Sequence, residues 1–272
     1  MKSSTQNKAA SSGSSLVRYY LVLYNVFSAI GWSYVLVASV IHLAGLTDLS
    51  RLASVTSTPT AKSVLLRYLS KISFLQSALP LSAKIESLLP PTLIPILDRA
   101  KTTFTAVGWQ TAVVQSFAVL EILHSALGWV RSPLTTTAAQ VASRVILVWG
   151  IADKYEAARF NPIYASMVLS WSITEIIRYT FYAANKLGYE PKWLVWLRYT
   201  TFYVLYPTGA GSEAALIFST LPSHNAWSEA DYGRALMFLI WWPGLYIMYT
   251  YMIQQRKKVL GRGQRLGKTK TN

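Results

Sequence analysis

The sequence predicts an all-α fold built for a membrane: a polytopic bundle of six transmembrane helices. Three observations carry this. Hydrophobic residues make up 52% of the 272 and charged residues only 14%, against roughly 25% charged in an ordinary soluble domain. Polar groups are therefore too few to cover a globular surface. There are 10 Trp and 17 Tyr, the residue types that collect at membrane–water interfaces. The net charge of +15 is concentrated at the ends. Lys2, Lys8 and Arg18 lie at the N-terminus, and Arg256, Lys257, Lys258, Arg262, Arg265, Lys268 and Lys270 at the C-terminus, with no acid in either stretch. Basic flanks face the cytosol, and two ends on one side require an even number of spans. A nucleic-acid partner would need a basic groove or helix face; basic tails beside apolar spans argue against one.

Residues 1–15 read as a disordered, Ser-rich polar tail. The uncharged run 19–41 is too long for a cleavable signal and long enough to cross a bilayer, which places the first span at about 16–43. The others follow at about 103–128, 134–152, 160–186, 192–220 and 235–255, before a basic cytosolic tail at 256–272. Between the first two spans, 46–101 is broken by Ser/Thr-rich sequence and by Pro80, Pro90, Pro91 and Pro95. It reads as a long non-spanning loop with short amphipathic helices on the membrane surface or over the bundle mouth. Cysteine is absent, which excludes disulfides, thiolate metal sites and Cys nucleophiles.

The informative residues are ionisable groups inside apolar spans: Glu121, His124, Arg144, Glu175, Arg178, Arg198 and Glu213. A charge at the bilayer centre costs at least about 2.5–3.5 kcal/mol, so each needs a partner or a wet cavity. Arg198 is near enough to a span end to snorkel. Glu121 and His124 are three apart, as are Glu175 and Arg178, so each pair shares a helix face. Helix–helix clamps explain any one of these residues. Seven together point to a polar cavity serving transport, ligand sensing or catalysis.

The sharpest local feature is LYPTGAGSE at 205–213. Pro207 has no N–H for the carbonyl of Tyr203 and predicts a kink, while Gly209 and Gly211 open room for a ligand or a neighbouring backbone. Tyr206 and Glu213 are seven apart, two turns on one face, about 10 Å along the axis. A phenol and a desolvated carboxyl facing one cavity suit acid/base work. Residues 124–132, HSALGWVRS, imitate a tyrosine-phosphatase loop with Ser in place of Cys. That chemistry needs a thiolate, so phosphatase activity is excluded.

The stretches LEILHSALGWVRSP, QVASRVILVWG, WSITEIIRYTFY and LRYTTFYVLYPTGAGSE, in that order, resemble the very-long-chain (3R)-3-hydroxyacyl-CoA dehydratases, also called protein-tyrosine-phosphatase-like proteins. The resemblance is weak over 16–45 and strong over 104–255. It implies a six-span protein of the endoplasmic reticulum that catalyses the third step of fatty-acid elongation, dehydrating long-chain 3-hydroxyacyl-CoA to trans-2-enoyl-CoA. It also implies neighbours in the elongase: a condensing enzyme, a ketoacyl reductase and an enoyl reductase. The family's catalytic Tyr and Glu map onto Tyr206 and Glu213. The loop 46–101 is longer than the family pattern, and the Ser-rich tail is particular to this chain.

The dehydration needs no metal or redox cofactor. Glu213 is assigned as the base at C2 and Tyr206 as the donor to the leaving hydroxyl, and the reverse assignment fits the same spacing. Arg144, Arg178 and Arg198 are candidates for holding the thioester oxygen or a CoA phosphate, and Glu121, His124 and Glu175 for supporting the site. Arg131, Lys186 and Lys192 in cytosolic loops would draw the polyanionic CoA electrostatically. The rival reading is a receptor, transporter or scaffold with a polar core. Finally, the chain ends KTKTN, with Lys268 and Lys270 in the spacing of a cytosolic retrieval signal for the endoplasmic reticulum.

Overall fold

The computed structural model describes residues 3–46, 90–222 and 227–268. Among these, every regular element is a helix. The amphipathic pieces expected within 47–89, and Lys270 of the terminal signal, lie outside the described residues.

Helix α1 spans Ser3–Ala44. It starts inside the stretch read as a disordered tail, although its apolar, span-length part opens only at Ser15. Extending a nucleated helix costs little per residue, which accounts for the polar continuation. Gly45, at φ +77°, ends α1, with its N–H bonded to the His42 carbonyl and that of Leu46 to Ile41, both at 3.0 Å. Such a left-handed turn suits glycine. A short 3-10 turn (Pro91–Leu93) and α2 (Ile94–Lys101) form the described end of the non-spanning segment. Arg99 of α2 donates from Nε to the Leu43 carbonyl at 2.6 Å, and the His42 ring meets the Arg99 carbonyl at 2.9 Å. This end of the loop is thereby fastened to the C-terminus of α1.

The second expected span is divided into α3 (Thr103–Ser116) and α4 (Val119–Ala126). At the junction Ala118 bonds back to Gln115 and Glu121 to Ala118, the tighter i→i−3 spacing that resets the face on which Glu121 emerges. The third is α5 (Leu134–Val145) continued by a π-helical turn, Ile146–Ala152. In that turn Leu147, Val148 and Ile151 are buried and Trp149 Nε1 donates to Ser116 Oγ at 3.0 Å. After the short α6 (Glu156–Arg159) comes α7, Ile163–Leu187, closed by Gly188 at φ +81°.

The fifth expected span is α8 (Lys192–Arg198) followed by α9 (Phe202–Ser219). The break falls at 199–201 rather than at Pro207, through which α9 continues. The β-branched pair Thr200–Thr201, next to Tyr199, is poor helix sequence, so the chain yields there. Helix α10, Glu229–Lys268, begins just after Ser228, whose N–H and Oγ–H both donate to Asp231 Oδ2 at 2.6 Å.

Helix α7 is the axis of the molecule. Helices α1 and α9 pack along it, α3 packs against α1, and α10 packs chiefly against α9. The core joins Trp32 and Val35 of α1, Val107 of α3, Leu147 and Val148 of the π turn, Met167, Val168 and Trp171 of α7, and Leu216 and Ile217 of α9. Tyr19, Leu23, Phe27 and Ile30 of α1, and Leu236, Leu239, Ile240 and Ile247 of α10, point outward and exposed. A water-soluble monomer does not carry apolar faces of that length, and such faces are compatible with a membrane protein.

Four segments are long and apolar enough to cross: Ser15–Ala44, Thr103–Ala126, Leu134–Ala152 and Glu229–Gly261. Helices α7 and α9 carry Glu175, Arg178 and Glu213 among their Ser, Thr and Gly residues and are not among these four. These are the two helices held in the interior, where polar groups find partners.

Helices α1 and α3 pack tightly at Gly31, where an added Cβ would lie 3.2 Å from Val114 Cγ2. Gly31→Leu is expected to overpack this contact and destabilise the fold by about 1–3 kcal/mol, read as a lowered melting temperature in detergent.

Candidate active site

Seven buried or half-buried charges were expected to face a common interior, and five of them form one chain of contacts through the bundle. Glu175, on α7 and only 2% exposed, accepts from Arg144 of α5 and from Arg178 Nε, one turn along α7, at 2.6 Å. Arg178 also forks onto Glu121 of α4, its Nη1 and Nη2 donating to the two carboxylate oxygens at 2.8 and 2.7 Å. Tyr179 donates to the same carboxylate, as does Tyr24 of α1 at 3.4 Å. Two arginines thus neutralise two carboxylates. Their hydrogen-bonding capacity is largely met, as a low-dielectric interior requires.

From Arg144 the chain continues through an aromatic ring. The Arg144 guanidinium lies 4.9 Å from the centroid of Trp171, and Trp171 Nε1 donates to Glu213 Oε1 at 2.6 Å. Trp241 of α10 donates to Glu213 Oε2 at 3.0 Å. Glu213 is buried at 9% exposure, yet it forms no ion pair among the described residues. Tyr206 is half-buried on α9, two turns before Glu213, and its hydroxyl has no hydrogen-bond partner among the described residues.

The small residues of 205–213 hold α9 against α7. An added Cβ at Gly209 would meet Ser170 Cβ at 3.6 Å and Trp171 Cδ1 at 3.7 Å. Thr208 and Ser170 hydroxyls meet at 3.0 Å, and Ser212 donates to Ser166 at 3.0 Å. Small side chains allow this approach, and the approach brings Trp171 to Glu213. Gly211 faces open space, with nothing within 4 Å of an added Cβ.

The other two expected residues stand apart. His124 is buried among aromatic rings, bonded to the Tyr20 hydroxyl at 3.0 Å and stacked on Trp129. It shares the Tyr24 ring with Glu121 but none of the ion pairs. Arg198, half-buried near the end of α8, lies over Tyr182, 3.4 Å from its hydroxyl, a ring that Arg178 also faces, and it joins no ion pair among the described residues. Sequence reasoning missed Trp171, Trp241, Tyr24 and Tyr179. Trp171 had a signal, because it lies one turn before Glu175 on the same face. Trp241 had none, because an indole in an apolar span looks like any other.

The family model of the protein tyrosine phosphatase-like proteins, PTPLA, matches residues 115–262, more than half of the chain and the whole of this site apart from Tyr24. The chain belongs to the PTPLA family. Its relatives include a protein of Schizosaccharomyces pombe named as a probable very-long-chain (3R)-3-hydroxyacyl-CoA dehydratase, 48% identical over 59% of this chain and 76% of its own length. An Arabidopsis thaliana dehydratase of the same name, PASTICCINO 2, is 40% identical over 62% of this chain and 88% of its own length. A Caenorhabditis elegans dehydratase is 34% identical over 92% and 98%. No solved structure matches. The PTPLA match contains both Tyr206 and Glu213, as well as the arginines and carboxylates that link α4, α5 and α7.

Breaking a buried pair leaves a bare charge and costs about 3–5 kcal/mol. Arg178→Ala strands Glu121 and leaves Glu175 with Arg144 alone, and is expected to abolish the monodisperse peak of the detergent-purified protein in size-exclusion chromatography.

Proposed function

We propose that this protein dehydrates long- and very-long-chain (3R)-3-hydroxyacyl-CoA to trans-2-enoyl-CoA, with Glu213 as the base and Tyr206 as the acid. The observation that carries the assignment is the difference between the three buried glutamates. Glu121 and Glu175 are matched by arginines, whereas Glu213 is held by neutral N–H donors alone. A carboxylate without a counter-cation is the one free to accept and release a proton.

In the reaction Glu213 takes the C2 proton, the C2–H electron pair becomes the C2=C3 double bond, and the C3 hydroxyl leaves as water with the proton of Tyr206. The thioester carbonyl gains enolate character on the way, and the nearby Arg144 charge opposes that negative charge. Glu213 then loses its proton to water and Tyr206 recovers one from water, so the site is reset without cofactor or net redox change.

The substrate accounts for the architecture. Its acyl chain belongs in hydrocarbon and its CoA in water, so the reacting carbons must sit where a bundle opens toward the cytosol. On this reading α7 and α9 also cross, giving six spans. The 25 residues of α7 extend about 37 Å as an ideal helix, against a hydrocarbon core of about 30 Å. Both ends of the chain lie in the cytosol, in the endoplasmic reticulum membrane, beside the other elongase components.

Purified protein given a 3-hydroxyacyl-CoA is expected to form the enoyl thioester with nothing added, where a transporter or receptor would leave it unchanged. Glu213→Gln and Tyr206→Phe are each expected to lose at least about a hundredfold in turnover while purifying normally; near wild-type turnover in either removes that residue from the mechanism. Glycosylation acceptors placed at both termini are expected to stay unmodified in microsomes. Modification of one terminus alone would mean an odd number of spans.

A further inference from the structure

Glu213 is held unlike the other buried carboxylates of the bundle. Each of its oxygens accepts one indole N–H, from Trp171 on α7 at 2.6 Å and from Trp241 on α10 at 3.0 Å. An indole nitrogen donates and never accepts, so neither ring competes for the proton that Glu213 moves. Two donors, one on each oxygen, fix the plane of the carboxylate and leave each oxygen a free lone-pair direction. An arginine in the same place would hold the plane equally well, but would neutralise the charge and weaken the base.

The two rings arrive from different surroundings. Trp171 is 2% exposed and packs on Trp32 and under Arg144. Trp241 comes from α10, whose described side chains, Asp231 apart, are half-buried or exposed. Helix α10 meets the core chiefly through Met237, Phe238 and Trp241, and of these only Trp241 carries an N–H donor. The outermost helix therefore completes the cradle of a carboxylate borne by the innermost pair.

We infer that Trp171 and Trp241 are positioning residues for the dehydration: their two indole N–H groups hold the Glu213 carboxylate in the orientation that meets the C2 proton, so docking of α10 completes the site. This rests on the reading of Glu213 as the base. It adds two residues that do not touch the reacting atoms but act through one that does.

The test uses the full chain in detergent, with ordinary substrate and with substrate deuterated at C2. Trp241→Phe keeps an aromatic ring and removes the N–H. It is expected to lower kcat about tenfold to a hundredfold, the effect of losing one hydrogen bond to a charged group, with KM little changed. The primary isotope effect at C2 should grow, because C–H cleavage becomes slower relative to the other steps. Trp241→His, whose ring can still donate, should recover part of the loss. Trp171→Phe should behave as Trp241→Phe does, if its packing survives; Trp241 carries the test where it does not.

Unchanged kcat and isotope effect in a folded Trp241→Phe overturn the inference. So does a parallel fall in kcat and rise in KM with an unchanged isotope effect, which is what loss of packing alone would give. Glu213→Gln in the same assay separates the two levels. If it is inactive while Trp241→Phe is normal, only the role of the tryptophans fails; if it is active, the assignment of the base fails with it.

Discussion

A buried charge in an apolar bundle must be paired, and the chain Glu121–Arg178–Glu175–Arg144 is how this molecule meets that constraint. It ties α4, α7 and α5 at one level of the bundle, with Tyr24 adding α1. The ring of Trp171 passes the contact on to α9, and Trp241 passes it to α10. Every long segment of the described chain has a side chain in this series. Hydrophobic contact alone is a weak and non-directional organiser between helices that are themselves solvated by hydrocarbon. Paired charges with fixed forks and planes set both register and rotation, so the position of Glu213 depends on residues several helices away.

The same constraint separates structure from chemistry. Where a carboxylate meets an arginine fork, its ionisation is settled and it serves as a joint. Glu213 meets only neutral donors, which is what suits it to the proposed role of the base. The small residues around it follow from this arrangement. Gly209 and Ser170 bring α9 close enough to α7 for the Trp171 bond, whereas the open space at Gly211 leaves that side of α9 free beside Tyr206 and Glu213.

Much of this was legible in the sequence. The helical character of the described residues and the four segments apolar enough to cross follow from where charges interrupt apolar runs, and the interior charges stand out because they are expensive in a bilayer. The three-residue spacing of Glu175 and Arg178 gave a true pair, since neighbours on one helix turn need no tertiary knowledge. The identical spacing of Glu121 and His124 did not, because Glu121 reaches across to Arg178 while His124 turns into the rings of Tyr20, Tyr24 and Trp129. Spacing names a face and leaves the partner on another helix open. The break at 199–201 was hidden behind the louder signal of Pro207. The Trp241 donor was invisible because tryptophan in a span reads as an interface anchor or as packing, and its single N–H shows its use only once the carboxylate is in place.

The measurement that tests this most directly follows hydrogen at C2 in the reverse direction. Enoyl-CoA is incubated with the protein in deuterium oxide, and the 3-hydroxyacyl-CoA formed is examined for deuterium at C2. The wild type is expected to deliver one deuteron to C2, and Glu213→Gln to deliver none above background, while still binding the enoyl thioester. Deuteration of C2 by Glu213→Gln at the wild-type rate would contradict the assignment, because the proton at C2 would then be handled by another group.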